Sequence, residues 1–293
     1  MYDEYFAQIE EECRIRNLSS RTCQLYKSNV SSLLKQTNKS PENLTLQDAR
    51  EYILSCRNRG LSVAHCNTCN ASFAFFFRHV LHKTWDPEMV PRMKVDYTFP
   101  AVLSLEEIER LIDTAKSPKY KALIAVMYSA GLRVSEACRL RYEDVSRSTM
   151  QIHVTQTKNR MDHYTILSHK ALDLLTEYWF AAEKPRGYLF PCKNNSEQPI
   201  SISSVELALR KISKAAGINR KIHPHLLRHS FATHLIEAGV QPIYVQTLLG
   251  HRSIDSTNKY IHLANKSVMG IRSPLDHSAA GFTSEKPGGT VHV

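Results

Sequence analysis

The last third of the sequence holds groups that can bind a phosphate and handle protons. His225 and Arg228 lie three residues apart, His251 follows, and Tyr260 adds a phenol. A phosphodiester under attack builds negative charge on its non-bridging oxygens, so its site needs cationic groups and hydrogen-bond donors. A phenol with a pKa near ~10 is mostly protonated at neutral pH and needs such neighbours to become a nucleophile. The set predicts cleavage of a phosphodiester, with DNA as the expected substrate.

An arginine follows a glycine turn in the segment Gly131-Leu132-Arg133-Val134-Ser135-Glu136. At the start of the next helix, the backbone amides and the guanidinium of Arg133 can face one anion. Glu136 lies one helical turn later and is expected to orient that arginine. Taken alone, the motif fits a surface arginine after a helix-ending glycine equally well.

A metal site is the competing interpretation of the histidines. The potential ligands are His223, His225, His229 and His234, together with the Cys-x-x-Cys pair Cys66 and Cys69. The cysteines have no second pair and fall inside a predicted helix, and no histidine couple comes with a suitable general base. The sequence therefore predicts neither a metal nor a cofactor, and both cysteines are expected in a core.

Helices must position most of these residues. Up to about Thr84 the pattern is helical, with start signals before Ser20 and at Thr45 and a stop at Gly60. A fourth helix begins at Ser62, where the apolar spacing predicts one packed face and one wet face. Residues 1–84 are therefore expected to form a small helical bundle.

The middle of the chain predicts a boundary between two domains. Residues 85–103 contain several prolines and little periodicity, which indicates an extended linker. A second domain is expected over 104–273, with helices at 104–115 and 118–130 and a hairpin formed by Gln151–Val154 and His163–Leu167. Further helices are predicted at 168–182, 203–216, 224–238, 242–249, 254–263 and 264–272, and residues 274–293 are predicted to be a flexible tail. The fold class is mainly α with a small β-hairpin or sheet.

Composition agrees with a nucleic-acid partner without proving one. The chain has 293 residues, 42% of them hydrophobic, and a formal charge of +10. Residues 1–100 carry 13 Lys and Arg against 11 Asp and Glu, whereas the rest carries 25 against 17. A basic protein favours polyanions through counterion release, although a basic enzyme of another kind has the same composition.

Cysteine usage and hydropathy bear on the compartment. The seven cysteines have no framework spacing, and the N-terminus lacks a secretory signal pattern. Apolar runs such as Phe73–Phe77 fall far short of the ~20 residues that cross a bilayer. We therefore expect a cytoplasmic protein with reduced thiols and no membrane span.

Four motifs together resemble a known family. They are Gly131–Glu136, His225-Leu226-Leu227-Arg228-His229-Ser230-Phe231-Ala232-Thr233-His234, Leu249-Gly250-His251 and Tyr260. In this order they are similar to the boxes of the tyrosine recombinases, the phage-integrase and Xer type. The resemblance covers most of residues 101–265, and the N-terminal helices resemble, less specifically, that family's SAM-like core-binding domain.

The resemblance implies a role for each matching residue. Arg133 and Arg228 would clamp the scissile phosphate, supported by Glu136, and His225 and His251 would donate hydrogen bonds or move protons. Lys158, at the hairpin tip, would protonate the departing 5′ oxygen, although Arg160 is an alternative because the family's usual glycines are missing beside Lys158. Tyr260 would attack phosphorus and hold a 3′-phosphotyrosyl link. Because that link conserves the phosphodiester's energy, neither ATP nor a metal is implied.

The resemblance further implies a homo-tetramer on two DNA duplexes, with an accessory protein as a possible additional partner. Two other functions stay open: a monomeric DNA-relaxing enzyme of the type IB topoisomerase kind, and a DNA-binding module without catalysis. The target sequence stays unassigned, as does the biological setting: chromosome-dimer resolution, phage integration or movement of a transposon or cassette. Base contacts are expected from helices around Ser20–Leu34, Ser62–Val80 and Ser201–Ala215.

Overall fold

The computed structural model describes residues 2–95, 101–155, 162–184 and 186–250. The chain divides into two compact units, Met1–Thr98 and Phe99–Val293. Most of the described residues are helical, with one small sheet, which confirms the predicted fold class.

Over residues 2–95, the described part of the first unit, there are four α-helices and one short 3-10 helix at Pro41–Asn43. The helices are α1 (Asp3–Ile15), α2 (Ser20–Thr37), α3 (Leu46–Asn58) and α4 (Val63–His79). Ser19, Thr45 and Ser62 precede α2, α3 and α4, and each side chain accepts a hydrogen bond from a backbone N–H three residues later. These are the N-cap contacts that the start signals predicted, because they satisfy amides that have no partner inside the helix.

The fourth helix is buried on more sides than its apolar spacing predicted. Phe73, Phe76 and Phe77 are almost fully enclosed in the core of the first unit. Polar residues on α4 are also buried: Asn29 of α2 donates to the Ser72 hydroxyl at 2.9 Å. The prediction of one packed and one wet face was wrong for this helix, because α4 packs against α1, α2 and α3.

The first part of the predicted linker packs on this helical unit. Trp85 and Val90 are buried in its core. The Asn67 side chain donates to the Met93 carbonyl at 2.9 Å and accepts from the Met93 N–H at 2.8 Å. Asn70 donates to the Val90 carbonyl at 2.9 Å. Two buried amides on α4 thus hold residues 90–93, satisfying backbone groups that have no strand or helix partner.

The second unit contains seven α-helices among its described residues, besides a short 3-10 helix at Tyr142–Asp144. They are α5 (Leu105–Thr114), α6 (Pro118–Ser129), α7 (Val134–Arg139), α8 (His169–Ala181), α9 (Ile202–Ala215), α10 (Pro224–Glu237) and α11 (Pro242–Leu249). Residues 122–127 of α6 are all buried, and this helix packs against α5, α8 and α10. A proline at the first position of α6, α10 and α11 fixes each helix start.

A three-stranded antiparallel sheet lies beside these helices. Its strands are β1 (Val145–Ser146), β2 (Gln151–Val154) and β3 (His163–Ile166), in the order β1-β2-β3. In the β2–β3 ladder Val154 pairs with His163 and Gln151 with Ile166. The predicted hairpin is therefore present, with one further strand that the sequence pattern did not predict.

Within the described parts of the chain, no helix has both the length and the apolar character that a membrane span requires.

Candidate active site

Arg133 is held by the carboxylate of Glu136. Its backbone N–H donates to Glu136 Oε2 at 2.7 Å, and its Nη1 donates to Oε1 at 2.6 Å. Arg133 is the N-cap of the short helix α7, so Glu136 fills the anion position at this helix start. The Arg133 N–H and guanidinium thus share this internal carboxylate, while binding of an external anion at the helix start stays a prediction. The Arg133 side chain is 22% exposed.

Arg228 lies inside the protein and joins three segments. Its side chain is 1% exposed, with Nη1 3.5 Å from Glu136 Oε2. Nη1 donates to the Gly131 carbonyl at 2.9 Å, and Nη2 donates to the Leu249 carbonyl at 2.6 Å. The three segments are therefore the glycine turn, α7 and the end of α11. Both predicted arginines thus meet at one carboxylate, which is itself buried.

Gly131 allows this close arrangement. Its φ is +63°, and a Cβ at this position would lie 2.4 Å from Phe231 Cδ1 and 2.9 Å from Leu249 Cδ2. A side chain would push α10 and α11 away from the turn, and L-residues avoid this φ. The lack of a side chain brings the turn within reach of Arg228.

The sheet is tied to the same turn. Thr165 of β3 is buried, and its hydroxyl donates to the Ala130 carbonyl at 2.8 Å. His163, the first residue of β3, lies against Gly250, where an added Cβ would be 2.7 Å from ring atoms Cε1 and Nδ1. The hairpin therefore packs directly on Gly250, the C-cap of α11. Sequence reasoning did not identify Thr165 or His163 as part of this arrangement.

Charge and burial both act on His163. Burial is the largest cause that lowers its pKa; the positive charges of Arg228 and Arg133 also lower it, and Glu136 opposes them. A hydrogen bond to the Leu248 backbone favours the protonated ring. The net effect is a lowered pKa, so the ring is neutral at physiological pH.

His225 is exposed at the start of α10, and its ring centroid lies 4.2 Å from that of His229. A groove runs beside it between α9 and the segment before α10. Basic side chains line this groove: Arg210, Lys214, Arg220 and Lys221. Arg220 forms an ion pair with Glu107, whereas Arg210, Lys214 and Lys221 are exposed to solvent.

His234, another histidine of the predicted motif, is packed against a tyrosine. Tyr128 Oη lies 2.8 Å from His234 Nδ1. Burial raises the pKa of Tyr128 to about 12 and lowers the pKa of His234. This tyrosine is therefore a packed neighbour of α10 and a poor nucleophile at neutral pH.

The predicted site residues fall into two groups. The structure brings Arg133, Glu136 and Arg228 together and places His225 at the exposed start of α10. Lys158, Arg160, His251 and Tyr260 lie outside the described residues, as do the helices predicted at 254–263 and 264–272. Lys158 belongs in sequence to the loop between β2 and β3, and His251 directly follows Gly250.

Metal ligands are not grouped in the part of the chain that can be described: no three His, Cys, Asp or Glu side chains there lie close enough to share an ion. Cys66 and Cys69 are instead buried in the core of the first unit. Burial raises the pKa of Cys69 to about 12, so this thiol stays protonated.

Two family models match the chain. Residues 101–267 match the phage integrase family, and residues 5–87 match the phage integrase N-terminal SAM-like domain. Together they span both compact units. The resemblance that the four motifs indicated is thereby confirmed.

Relatives align along most of the chain. A Sinorhizobium fredii protein named as an integrase/recombinase, y4qK, is 33% identical over 92% of this chain and 87% of its own length. Tyrosine recombinase XerA of Pyrococcus horikoshii is 28% identical over 91% of this chain and 90% of its own. Among solved structures, XerH recombinase bound to a difH DNA substrate has a TM-score of 0.70 at 21% identity, covering 90% of this chain and 82% of that one. At 21% identity, this structural match is evidence for the fold alone.

Proposed function

The chain belongs to the phage integrase family of tyrosine recombinases and is a site-specific DNA recombinase; we propose that it cuts and rejoins DNA through a 3′-phosphotyrosyl link at Tyr260. The observation that carries the proposal is the meeting of Arg133 and Arg228 at the buried Glu136. Two guanidinium groups around one carboxylate leave a net positive charge. Such a preorganised charge stabilises a phosphorus centre on which negative charge develops.

In the proposed reaction the Tyr260 oxygen attacks phosphorus and the bond to the 5′ oxygen breaks. Lys158 supplies a proton to that leaving oxygen, with Arg160 as the residue that shares or takes this role in the alternative. His225 and His251 donate hydrogen bonds to the phosphate or move protons, and one of them accepts the phenol proton of Tyr260 during the attack. A 5′-hydroxyl from a partner duplex then attacks the phosphotyrosine and gives its proton to Lys158, while Tyr260 leaves, regains its proton from the histidine, and the phosphodiester is restored.

Arg133 and Arg228 have different access to a substrate. Arg133 keeps part of its surface open, whereas Arg228 is 1% exposed beneath the carbonyls of Gly131 and Leu249. Contact between Arg228 and a phosphate therefore requires a rearrangement around it. We propose that DNA binding supplies the energy for this shift, since a phosphate offers the guanidinium stronger, charge-assisted acceptors than the carbonyls do.

DNA is the partner of this family, and the basic groove beside His225 gives it a surface on the second unit. We propose that Arg210, Lys214 and Lys221 neutralise backbone phosphates next to the cleaved position. A homo-tetramer that holds two duplexes is the proposed active assembly, and an accessory protein is a further proposed partner. Strand exchange needs two cleaved duplexes at once, which one monomer on one duplex does not provide.

A nicked suicide substrate tests this proposal. The nick lets a short 5′-hydroxyl fragment leave after cleavage, so the covalent intermediate accumulates. Wild-type protein should give an adduct that survives denaturing electrophoresis without metal or ATP, and Tyr260→Phe should give none. Salt-sensitive binding without an adduct on cognate DNA would indicate an inert binding module, and relaxation of supercoils without recombinant product would indicate a topoisomerase.

A further inference from the structure

His163 connects strand β3 and the end of α11, two parts of the second unit whose relative position the proposed mechanism depends on. It opens strand β3 and pairs with Val154 of β2, so it stands at the base of the loop that contains Lys158. On its other side the ring lies against Gly250, the residue before His251. Strand β3 and Gly250 are far apart in sequence, and this ring is one point at which they meet.

The His163 ring is so close to Gly250 that this position has no room for a side chain. Gly250 is the left-handed C-cap of α11, with φ +58° and ψ +42°. A Cβ there would lie 2.7 Å from two atoms of the His163 ring, closer than real Cβ contacts come. The ring therefore occupies the space that the missing side chain leaves, and α11 packs directly on β3.

The charged network acts electrostatically on the same ring. Among the described residues, Glu136, Arg228 and Arg133 are the charged groups that act on its titration, and the Leu248 backbone accepts a hydrogen bond from it. A protonated ring would place a third cation beside two guanidinium groups and would compete with them for Glu136. An uncharged ring leaves that carboxylate to the arginines.

We infer that His163 is a positioning residue of the recombinase: its ring holds Gly250, at the end of α11, against strand β3 and the Arg133–Glu136–Arg228 network. This inference rests on the proposed function. It adds His163, a residue outside the four motifs. It also makes the reaction rate depend on the protonation of a ring that the proposed mechanism does not place on the phosphate.

Three variants separate positioning from general structure. His163→Gln keeps a donor for the Leu248 backbone but does not titrate, His163→Ala removes the contact with Gly250, and Gly250→Ala introduces the clash. The matched control is His153→Gln, because His153 lies on the outer face of the same hairpin, where it stacks on Tyr164 at 4.7 Å between ring centroids.

The measurement is the single-turnover rate of adduct formation on the suicide substrate, from about pH 5 to about pH 8. At neutral pH His163→Ala should cleave roughly ten- to a hundredfold more slowly, because small displacements of reacting groups have effects of that size. His163→Gln should stay within a few-fold of wild type, and its rate relative to wild type should rise as the pH falls. His153→Gln should follow wild type at every pH.

The double variant His163→Ala/Gly250→Ala gives a second readout. If the ring acts through the Gly250 turn, the two losses should overlap, so that the double variant is little slower than the worse single variant. Fully multiplicative losses would overturn the inference, as would a His163→Gln to wild-type ratio that does not change with pH. Absence of any wild-type adduct would overturn the proposed function and this inference with it, whereas a normal wild-type adduct with an equally fast His163→Ala would overturn the inference alone.

Discussion

Glu136 places one negative charge between two guanidinium groups. Its Oε1 accepts from Arg133 at 2.6 Å, and its Oε2 accepts from the Arg133 N–H at 2.7 Å. Oε2 also lies 3.5 Å from Arg228 Nη1. A carboxylate buried to this degree is retained only where its charge is compensated, and here two arginines compensate it. At the residue scale, the two arginines that the proposed reaction uses are held near one buried acidic group.

Glu136→Gln should destabilise the second unit by about 3 kcal/mol, because breaking a buried ion pair leaves uncompensated charge. It should also slow adduct formation, since Arg133 loses the carboxylate that orients it and Arg228 loses its ion pair. The matched control is Glu109→Gln, because Glu109 pairs with Lys170 at 2.9 Å on the surface, where both side chains are more than half exposed. That change should alter stability by less than about 0.5 kcal/mol. Equal urea midpoints for the two variants would contradict the buried role of Glu136.

At the scale of elements, one glycine turn sets the distance between helices. Gly131 ends the turn after α6, and its carbonyl accepts from Arg228 of α10. Its missing side chain lets Phe231 of α10 and Leu249 of α11 approach. The packing of three helices and the position of Arg228 therefore depend on the same residue.

Gly131→Ala should destabilise the chain by about 2 to 3 kcal/mol, since it adds a clash to the strain of a positive φ. Gly217→Ala is the control: its φ is +69°, but nothing lies within 4 Å of an added Cβ. This control should lose only about 1 kcal/mol. Thermal and urea unfolding of both variants would test the difference, and an equal loss would show that the predicted clash relaxes without penalty.

The sequence predicted most of the elements that carry a local signal, such as capping residues at a helix start or alternating residues in a strand. Ser104 and Glu107 form the capping box that starts α5, and alternating residues gave both strands of the hairpin. The unusual burial of α4 was missed because its enclosed Asn67 and Asn70 look like surface residues until their backbone partners are known.

The site was predictable in its residue types but not in its contacts. Arg228 bonds to main-chain carbonyls 97 and 21 residues away, and a carbonyl carries no side-chain signature. Nothing in the sequence therefore indicated that the Arg228 side chain is only 1% exposed. His163 was likewise missed, because a single histidine in a strand does not reveal which turn packs on it.

At the scale of the whole molecule, the positive charge is concentrated beyond residue 100. This part carries 25 Lys and Arg against 17 Asp and Glu. Some of that excess lines the groove beside His225, including Arg210, Lys214 and Lys221. A surface of this kind binds DNA with a strong dependence on salt, because each neutralised phosphate releases counterions.

Replacing Arg210, Lys214 and Lys221 together with alanine should weaken DNA binding and lower its dependence on salt. The slope of log affinity against log salt should become shallower by about one unit for each phosphate that is no longer neutralised. Lys170→Ala is the control, since Lys170 is an exposed lysine on α8 of the same unit. Fluorescence anisotropy over a salt series measures both slopes, and an unchanged slope in the triple variant would place the DNA on another surface.

Acid should weaken the second unit through two histidines. Burial lowers the pKa of both His163 and His234. The unfolded chain therefore binds more protons than the folded chain once the pH falls below about 6.5. The contribution of these histidines to the free energy of unfolding is fully present above that pH and declines as the pH falls towards their lower pKa values in the folded state.

The chain has two tryptophans, Trp85 and Trp179, so Trp85→Phe leaves Trp179 of α8 to report on the second unit. Urea midpoints of this variant should fall with pH, and adding His163→Gln and His234→Gln should flatten the fall. The same fall with and without these substitutions would assign the acid sensitivity to other groups.

Identifying the residue that becomes joined to DNA tests the proposed chemistry more directly than any rate or stability does. The suicide-substrate adduct is digested with nuclease and trypsin, and the modified peptide is sequenced by mass spectrometry. Because Tyr260 follows Lys259 and precedes Lys266, we predict a nucleotide on the peptide 260–266, attached at Tyr260 through a DNA 3′ phosphate. Attachment at any other residue, or to a 5′ phosphate, would contradict the proposed chemistry.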